Sequence, residues 1–376
     1  MSLITYVTKI HFAESVLEDA LEAELELNGL TRPLVICDDG EGREGVGNRL
    51  LAAIPPHVSA TLYRATVGHA TEDTCWEASA LYRHVDADGI IGFGGVEAIS
   101  VAKGVAALVS HRDLPAQFAP CGRSPRLGAR VPPLVAIPTV ESACAEAIGV
   151  AMVKQREGAG IALSNSSLTP RVVICDPSLT LDLPATRSAS SGMDVLTHCV
   201  ETFIATAYNP PADGIARDGI RRAVANLERV VADGSDLAAR REMMAAALNG
   251  ALAYQKGLGG VHAMSHALAG LGNGAADHGS VNAILLPVVL EFNAPAVPQR
   301  YSEIRRELGF SSRADLAEAF ASLRERIGLP GGLGKVGFRR DDLREASTIA
   351  AAGYCNRTNP RHAGANDYHA MLLSAF

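Results

Sequence analysis

The chain has 376 residues, 48% hydrophobic and 20% charged, with a formal net charge of -7. That length is more than one compact core usually holds, so two domains are expected. The acidic balance supplies no global field to draw phosphate backbones or anionic lipid, so neither nucleic acid nor a membrane surface is expected as a partner.

No uninterrupted apolar run of about 18 residues marks a membrane span. The opening stretch MSLITYVTKIHFAESVLEDA carries charges where a signal peptide needs its apolar run. A cytoplasmic protein is therefore expected. The cysteines (Cys37, Cys75, Cys121, Cys144, Cys175, Cys199 and Cys355) are odd in number, scattered and without a C-x-x-C pair. That argues against both a disulfide framework and a thiolate zinc site, and predicts reduced thiols that serve mostly as small core residues.

In chain order, the short apolar runs at 34–37, 60–63, 89–92 and 134–137 read as buried strands separated by segments of helical periodicity. This alternation predicts an α/β domain with a parallel sheet. A last strand at 172–175 runs into DPSLTLDLP, where Asp176, Pro177 and Pro184 break regular structure. The boundary is placed near residue 180, giving an α/β domain over 1–180 and a second domain over 181–376. From Ser188 onward the segments are long, helical and rich in Ala, Leu, Arg and Glu, for instance 214–233 and 235–254, so the second domain is expected to be all-α.

Within the first half, Asp38 closes the strand LVIC, where Asp38-Asp39-Gly40 also fits a plain turn. The run IIGFGGVEAISVAK ends a strand and opens a helix, whose exposed N–H groups and dipole favour a pyrophosphate. Gly94 and Gly95 would let the backbone approach that group. Glu97 would repel it unless its carboxylate turns outward to cap the helix.

In the second half, Asp194 and His198 share one helical face, one turn apart, in SSGMDVLTHCVETF. His262 and His266 repeat that geometry in GGVHAMSHALAG, and His278 follows in ADHGSVNAILLP. Any one of these histidines alone fits a hydrogen-bonded core residue. Together, several imidazoles and a carboxylate on apolar helices cost desolvation unless something pairs them, and a divalent ion does so. Asp and His ligands suit Zn(II) or Fe(II) and leave the ion a Lewis acid.

The run from Ser191 to Asn293 resembles the iron-containing (group III) alcohol dehydrogenase family, which shares a dehydroquinate synthase-like architecture. The family pattern G-x-D-x-x-x-H is matched by Gly192, Asp194 and His198. The pattern G-x-x-H-x-x-x-H, then H-G-x-x-N-A-x-L-L-P, then F-N, is matched by Gly259, His262, His266, His278, Gly279, Asn282, Ala283, Leu285, Leu286, Pro287, Phe292 and Asn293. The resemblance implies that Asp194, His198, His262 and His278 hold the metal, Fe(II) or alternatively Zn(II). It makes His266 the non-ligand histidine beside the nicotinamide. The ending CNRTNPR also resembles the family's, with Cys355 lining the active site. The interval from His266 to His278 is longer than the family pattern, which predicts an extended loop through Gly272, Asn273 and Gly274.

The resemblance is looser in the cofactor half. Where the family writes G-G-G-S-x-x-D-x-A-K, Gly94, Gly95, Ala102 and Lys103 match, whereas Val96, Glu97 and Ser100 depart. Of P-T-T-A-G-T-G-S-E, the loop IPTVESACAE keeps only Pro138, Thr139 and Glu146, and Val140 to Ala145 are altered. An acid at Asp38 implies a ribose hydroxyl acceptor and so NAD rather than NADP. The implied activity is hydride transfer between a small alcohol, or its aldehyde or ketone, and the dinucleotide, in a homodimer with His266 relaying the proton. Three alternatives stand beside it: a dehydroquinate synthase-like lyase, a maleylacetate reductase-like enzyme, and a relative that binds metal but no longer dinucleotide. Lys256, near Tyr254, and Arg123 either recognise an anionic substrate or are simply solvated.

Overall fold

The computed structural model describes residues 4–38, 44–65, 70–111, 131–142, 146–154, 161–271 and 277–376. Arg123, Cys121, Cys144, Ala145 and the loop through Gly272, Asn273 and Gly274 lie outside the described residues. The chain divides into two compact units, Tyr6–Asp182 and, together, Met1–Thr5 with Leu183–Phe376.

In the Tyr6–Asp182 unit, a six-stranded sheet is built from β1 (Lys9–Phe12), β2 (Pro33–Asp38), β3 (Thr61–Ala65), β4 (Gly89–Gly94), β5 (Leu134–Pro138) and, last, β8 (Val172–Cys175). Its order is β1-β8-β5-β4-β2-β3, and every pairing in it is parallel. The helices of this unit are α1 (Leu17–Leu27), α2 (Glu44–Ala53), α3 (Glu72–His84) and α4 (Val96–Ser110). Because alternate strand residues face opposite ways, each strand feeds two cores. Leu34, Ile36 and Ile90 pack with Val101 and Val105 of α4 on one face. Val35, Cys37, Ile91 and Phe93 pack with Leu17, Leu21 and Leu50 on the other. Burial on both faces is why these strands are near-continuous apolar runs.

Two features of this unit escaped the sequence pattern. Strand β1 forms an edge of the sheet, with Lys9 Nζ and His11 Nε2 bound to the buried Glu24 of α1 at 2.9 and 2.7 Å. Strands β6 (Val150–Val153) and β7 (Ile161–Ser164) form a separate antiparallel pair. The amine of Lys103, fully buried on α4, donates to the Val150 carbonyl at 2.8 Å.

Among the described residues, the other unit is helical: α5 (Ala185–Ile204), α6 (Pro210–Ala232), α7 (Leu237–Ala253), α8 (Gly260–Leu271), α9 (His278–Asn293), α10 (Pro298–Glu307), α11 (Leu316–Arg326), α12 (Leu343–Ala352) and α13 (Ala365–Ser374). Helix α5 is the axis, buried from Ser188 to its end, with α6, α7 and α9 packed against it. Glycines allow the close crossings: a Cβ at Gly192 would meet the Leu227 side chain at 2.3 Å, and one at Gly219 would meet Cys199 Sγ at 2.5 Å. Arg240, fully buried, ties the start of α5 by donating to Ser188 Oγ at 2.7 Å. At the N-terminal end, the Thr5 N–H donates to Gln255 Oε1 at 3.0 Å, so the first residues go with this helical unit rather than with the sheet.

Candidate functional site

Three helices of the helical unit bring four donors to one point. Asp194 and His198 lie one turn apart on α5, His262 lies near the start of α8, and His278 is the first residue of α9. One ligating atom from each falls within 4.8 Å of all the others. His198 Nε2 and His262 Nε2 are 2.9 Å apart, and the three imidazole Nε2 atoms stand 3.6, 3.9 and 3.8 Å from Asp194 Oδ1. Tetrahedral ligands at about 2.0–2.2 Å from an ion are separated by about 3.3–3.6 Å, so these spacings bracket what a divalent ion needs.

The start of α9 fixes His278. Asp277 caps that helix through Ser280 N–H at 3.2 Å and Ser280 Oγ at 2.7 Å, and the Ser190 hydroxyl of α5 donates to the same carboxylate. Gly279 permits the approach, since a Cβ there would stand 2.1 Å from the Ser190 carbonyl oxygen.

The environment suits a cation. Burial, then the neighbouring imidazoles, push His198, His262 and His266 well below the usual histidine range, so these rings are neutral. Burial raises the Asp194 carboxyl, against the pull of His278 and of Asn282, whose Nδ2 donates to Asp194 Oδ1 at 2.7 Å. The other side-chain atom of buried Asn282, Oδ1, has no hydrogen-bond partner among the described residues.

Glu201, one turn beyond His198 and buried, escaped the sequence reading. Its carboxylate accepts from the Val261 N–H at 2.6 Å and the His262 N–H at 3.3 Å, and contacts His262 Nδ1 at 2.6 Å. Burial pushes its carboxyl up to about 7, opposed by the Val261 and His262 amides. Backbone N–H groups only donate, so both oxygens act as acceptors toward them, and the ionised carboxylate favours a His262 proton on Nδ1. In that tautomer His262 Nε2 turns its lone pair toward His198 Nε2 at 2.9 Å and Asn282 Nδ2 at 3.3 Å, into the space the four donors share. The donor set therefore fits a divalent metal.

His266 stands apart from the four donors. Its ring stacks on His278 at 5.4 Å and on Tyr354 at 6.0 Å, and Cys355 Sγ is 3.9 Å from its Nδ1. The Tyr354 and Tyr254 hydroxyls meet at 3.0 Å. Lys256 corrects both sequence readings. It is neither solvated nor directed at a substrate: its buried amine donates to the Phe203 carbonyl at 2.7 Å and pairs with Asp213 at 2.5 Å. Arg300 also binds Asp213, so that cation is committed to tying α6 to its surroundings.

In the sheet unit the strand order places a topological switch between β2 and β4. Strand β3 lies outward of β2, while β5, β8 and β1 continue in the other direction. Open parallel sheets bind ligands at the carboxyl ends of the strands flanking such a switch. Asp38 ends β2, Gly94 ends β4, and Gly95 follows as the N-cap of α4. The two positions meet: the Gly95 N–H donates to Asp38 Oδ2 at 2.6 Å. Gly94 has φ +147°, and a Cβ there would come 2.3 Å from Asp38 Oδ2. The glycines thus make room first for a carboxylate of the protein itself. Glu97 keeps its carboxylate at the helix start, 3.2 Å from where a Gly95 Cβ would be. Thr139 follows β5, and its N–H donates to the Gly94 carbonyl at 3.0 Å.

A family model described as iron-containing alcohol dehydrogenase matches residues 7–177, and one described as the C-terminal part of the Fe-containing alcohol dehydrogenase family matches residues 188–376. The chain belongs to the iron-containing alcohol dehydrogenase family. It is similar to a 4-hydroxybutyrate dehydrogenase of Cupriavidus necator, 38% identical over 380 residues that cover 99% of each chain. A 1,3-propanediol dehydrogenase of Klebsiella pneumoniae is 32% identical over 79% of this chain and 78% of its own. Among solved structures, a 1,3-propanediol oxidoreductase superimposes with a TM-score of 0.92 at 27% identity and covers 100% of both chains. This iron-type alcohol dehydrogenase is accordingly a metal-dependent oxidoreductase that moves hydride between an alcohol, or its carbonyl counterpart, and a nicotinamide dinucleotide. No helix among its described residues is long and apolar enough to cross a membrane.

Proposed function

We propose that this dehydrogenase interconverts a small primary alcohol bearing a carboxylate, of the 4-hydroxybutyrate class, with its aldehyde, using NAD and one Fe(II), or alternatively Zn(II), held by Asp194, His198, His262 and His278. The observation that carries the metal centre is the convergence of those four donors within 4.8 Å. The substrate class rests on the relative that is 38% identical over nearly the whole of both chains. The preference for NAD rests on Asp38, a carboxylate pinned at the sheet's switch point, where it suits a ribose hydroxyl and opposes a 2′-phosphate.

A divalent ion in this donor set supplies Lewis acidity toward an alcohol or carbonyl oxygen. The chain's residues supply the rest. The buried imidazoles of His198 and His262, held neutral, offer their lone pairs without proton competition near neutral pH. His266, neutral and half-buried beside them, is placed to take up the hydroxyl proton and pass it outward. Tyr354 and Cys355 form the wall against the His266 ring. Readings as a dehydroquinate synthase-like lyase, a maleylacetate reductase-like enzyme or a protein without dinucleotide are not favoured, since the named relatives are alcohol and hydroxybutyrate dehydrogenases.

Elemental analysis tests the centre. His262→Ala and His278→Ala proteins should each lose most of their metal after dialysis, whereas full occupancy in both would refute the assignment. Turnover of 4-hydroxybutyrate should exceed that of 1,3-propanediol with NAD. The reverse order would remove the carboxylate from the substrate proposal.

A further inference from the structure

Glu201 ties α5 to α8 at His262, the one wholly enclosed histidine among the described residues. His262 is fully buried, and Glu201 is 1% exposed. The two oxygens of that carboxylate divide their work. Oε1 accepts from the Val261 N–H, and Oε2 faces the His262 ring at Nδ1 with the His262 N–H beside it. Room for Oε1 comes from Gly259, where a Cβ would stand 2.9 Å away.

We propose that Glu201 is a positioning residue for the metal centre: it holds the His262 proton on Nδ1, so that Nε2 is aimed at the other three donors as a lone pair. The proposal rests on the metal-site reading above. Partners behind a metal-bound imidazole set its tautomer and orientation, and their loss usually costs about 10–100-fold in metal affinity. A second role is built into the same contacts, because Val261 and His262 carry N–H groups in the first turn of α8, which have no partner within the helix.

Glu201→Gln separates the two roles. The variant keeps the shape but has one acceptor and one NH2 group. With the amide oxygen toward Val261, the NH2 faces His262 Nδ1, which must then accept, and the ring proton moves to Nε2 among the ligands. With the amide reversed, the NH2 opposes the Val261 N–H. The first arrangement keeps the short Val261 cap, gives up only the longer His262 N–H contact, and spoils the ligand.

The experiment is a chelator competition with Zn(II) on the full chain, alongside circular dichroism and thermal melting of the metal-free protein. Glu201→Gln should bind Zn(II) about 10–100-fold more weakly while its metal-free form melts near the wild type. A lower melting point with unchanged Zn(II) affinity means that Glu201 only caps α8, and overturns the proposal. So does a variant unchanged in both. Should Glu201→Gln fail to fold, nitrogen-detected NMR of the wild-type histidines in the Zn(II)-loaded protein decides: a proton on His262 Nδ1 supports the proposal, and one on Nε2 overturns it. His262→Ala runs beside it. Metal loss there with Zn(II) affinity intact in Glu201→Gln condemns the positioning role alone, whereas metal retention in His262→Ala sinks the site reading and this proposal with it.

Discussion

His266 poses the sharpest question at the scale of one residue, because helical spacing puts it one turn from His262 and so within reach of either job, ligand or proton carrier. Its ring centroid lies 5.6 Å from that of His262, it stacks on His278, and it is not among the four donors that meet within 4.8 Å. A fifth protein ligand would also crowd out substrate on a four- or five-coordinate ion. His266→Ala is therefore expected to keep near-full metal by elemental analysis while turnover drops by roughly 10²–10⁴-fold, the usual effect of removing a positioned acid or base. An empty site in His266→Ala, with a filled one in His278→Ala, would exchange the two roles.

At the scale of elements, Asp38 acts through two strands at once, since it ends β2 and its carboxylate is held by the amide that follows β4. Asp38→Gly removes both a hydrogen-bond acceptor and a negative charge from the switch point. A hydrogen bond to a charged group is worth about 1.5–3 kcal/mol, so the NAD-to-NADP ratio of kcat/KM should fall by roughly 10–100-fold. An unchanged ratio would reduce Asp38 to a residue that only organises the Gly94-Gly95 turn. The strands and long helices were legible in the sequence because burial on both faces leaves continuous apolar runs such as LVIC and GIIGFG, and because Ala-rich segments keep one period. Strand β1 was not, because KIHF, on a half-exposed edge, is only four residues long, too short for its alternation to stand out. The i, i+4 pairs made four metal donors readable, but Glu201 looked like any helical glutamate until α8 was set against it. The hint on offer was its place one turn after His198, on the helix face that also carries Asp194. Lys256 failed for the same reason: its partner Asp213 lies on α6, and spacing says nothing about which distant carboxylate will bury an amine.

For the whole molecule, the two kinds of candidate site fall on two compact units, the metal donors on α5, α8 and α9 and the dinucleotide contacts on β2, β4 and the start of α4. An ion that binds only the folded helical unit stabilises it by mass action, about 2.7 kcal/mol when free metal is 100-fold above its dissociation constant. Amides that exchange only when that unit opens should then slow by roughly 100-fold. Hydrogen exchange on chelated and Zn(II)-reloaded protein, read by mass spectrometry, should accordingly show new protection in α5 and α8, while β2 and β4 exchange at unchanged rates. Adding NAD to the chelated protein should do the converse, protecting the end of β2 around Asp38 and the first turn of α4 without slowing α5. If metal instead protects β2 and β4 and leaves α5 and α8 unaltered, the ion is not held by Asp194, His198, His262 and His278, whatever the activity of the loaded enzyme.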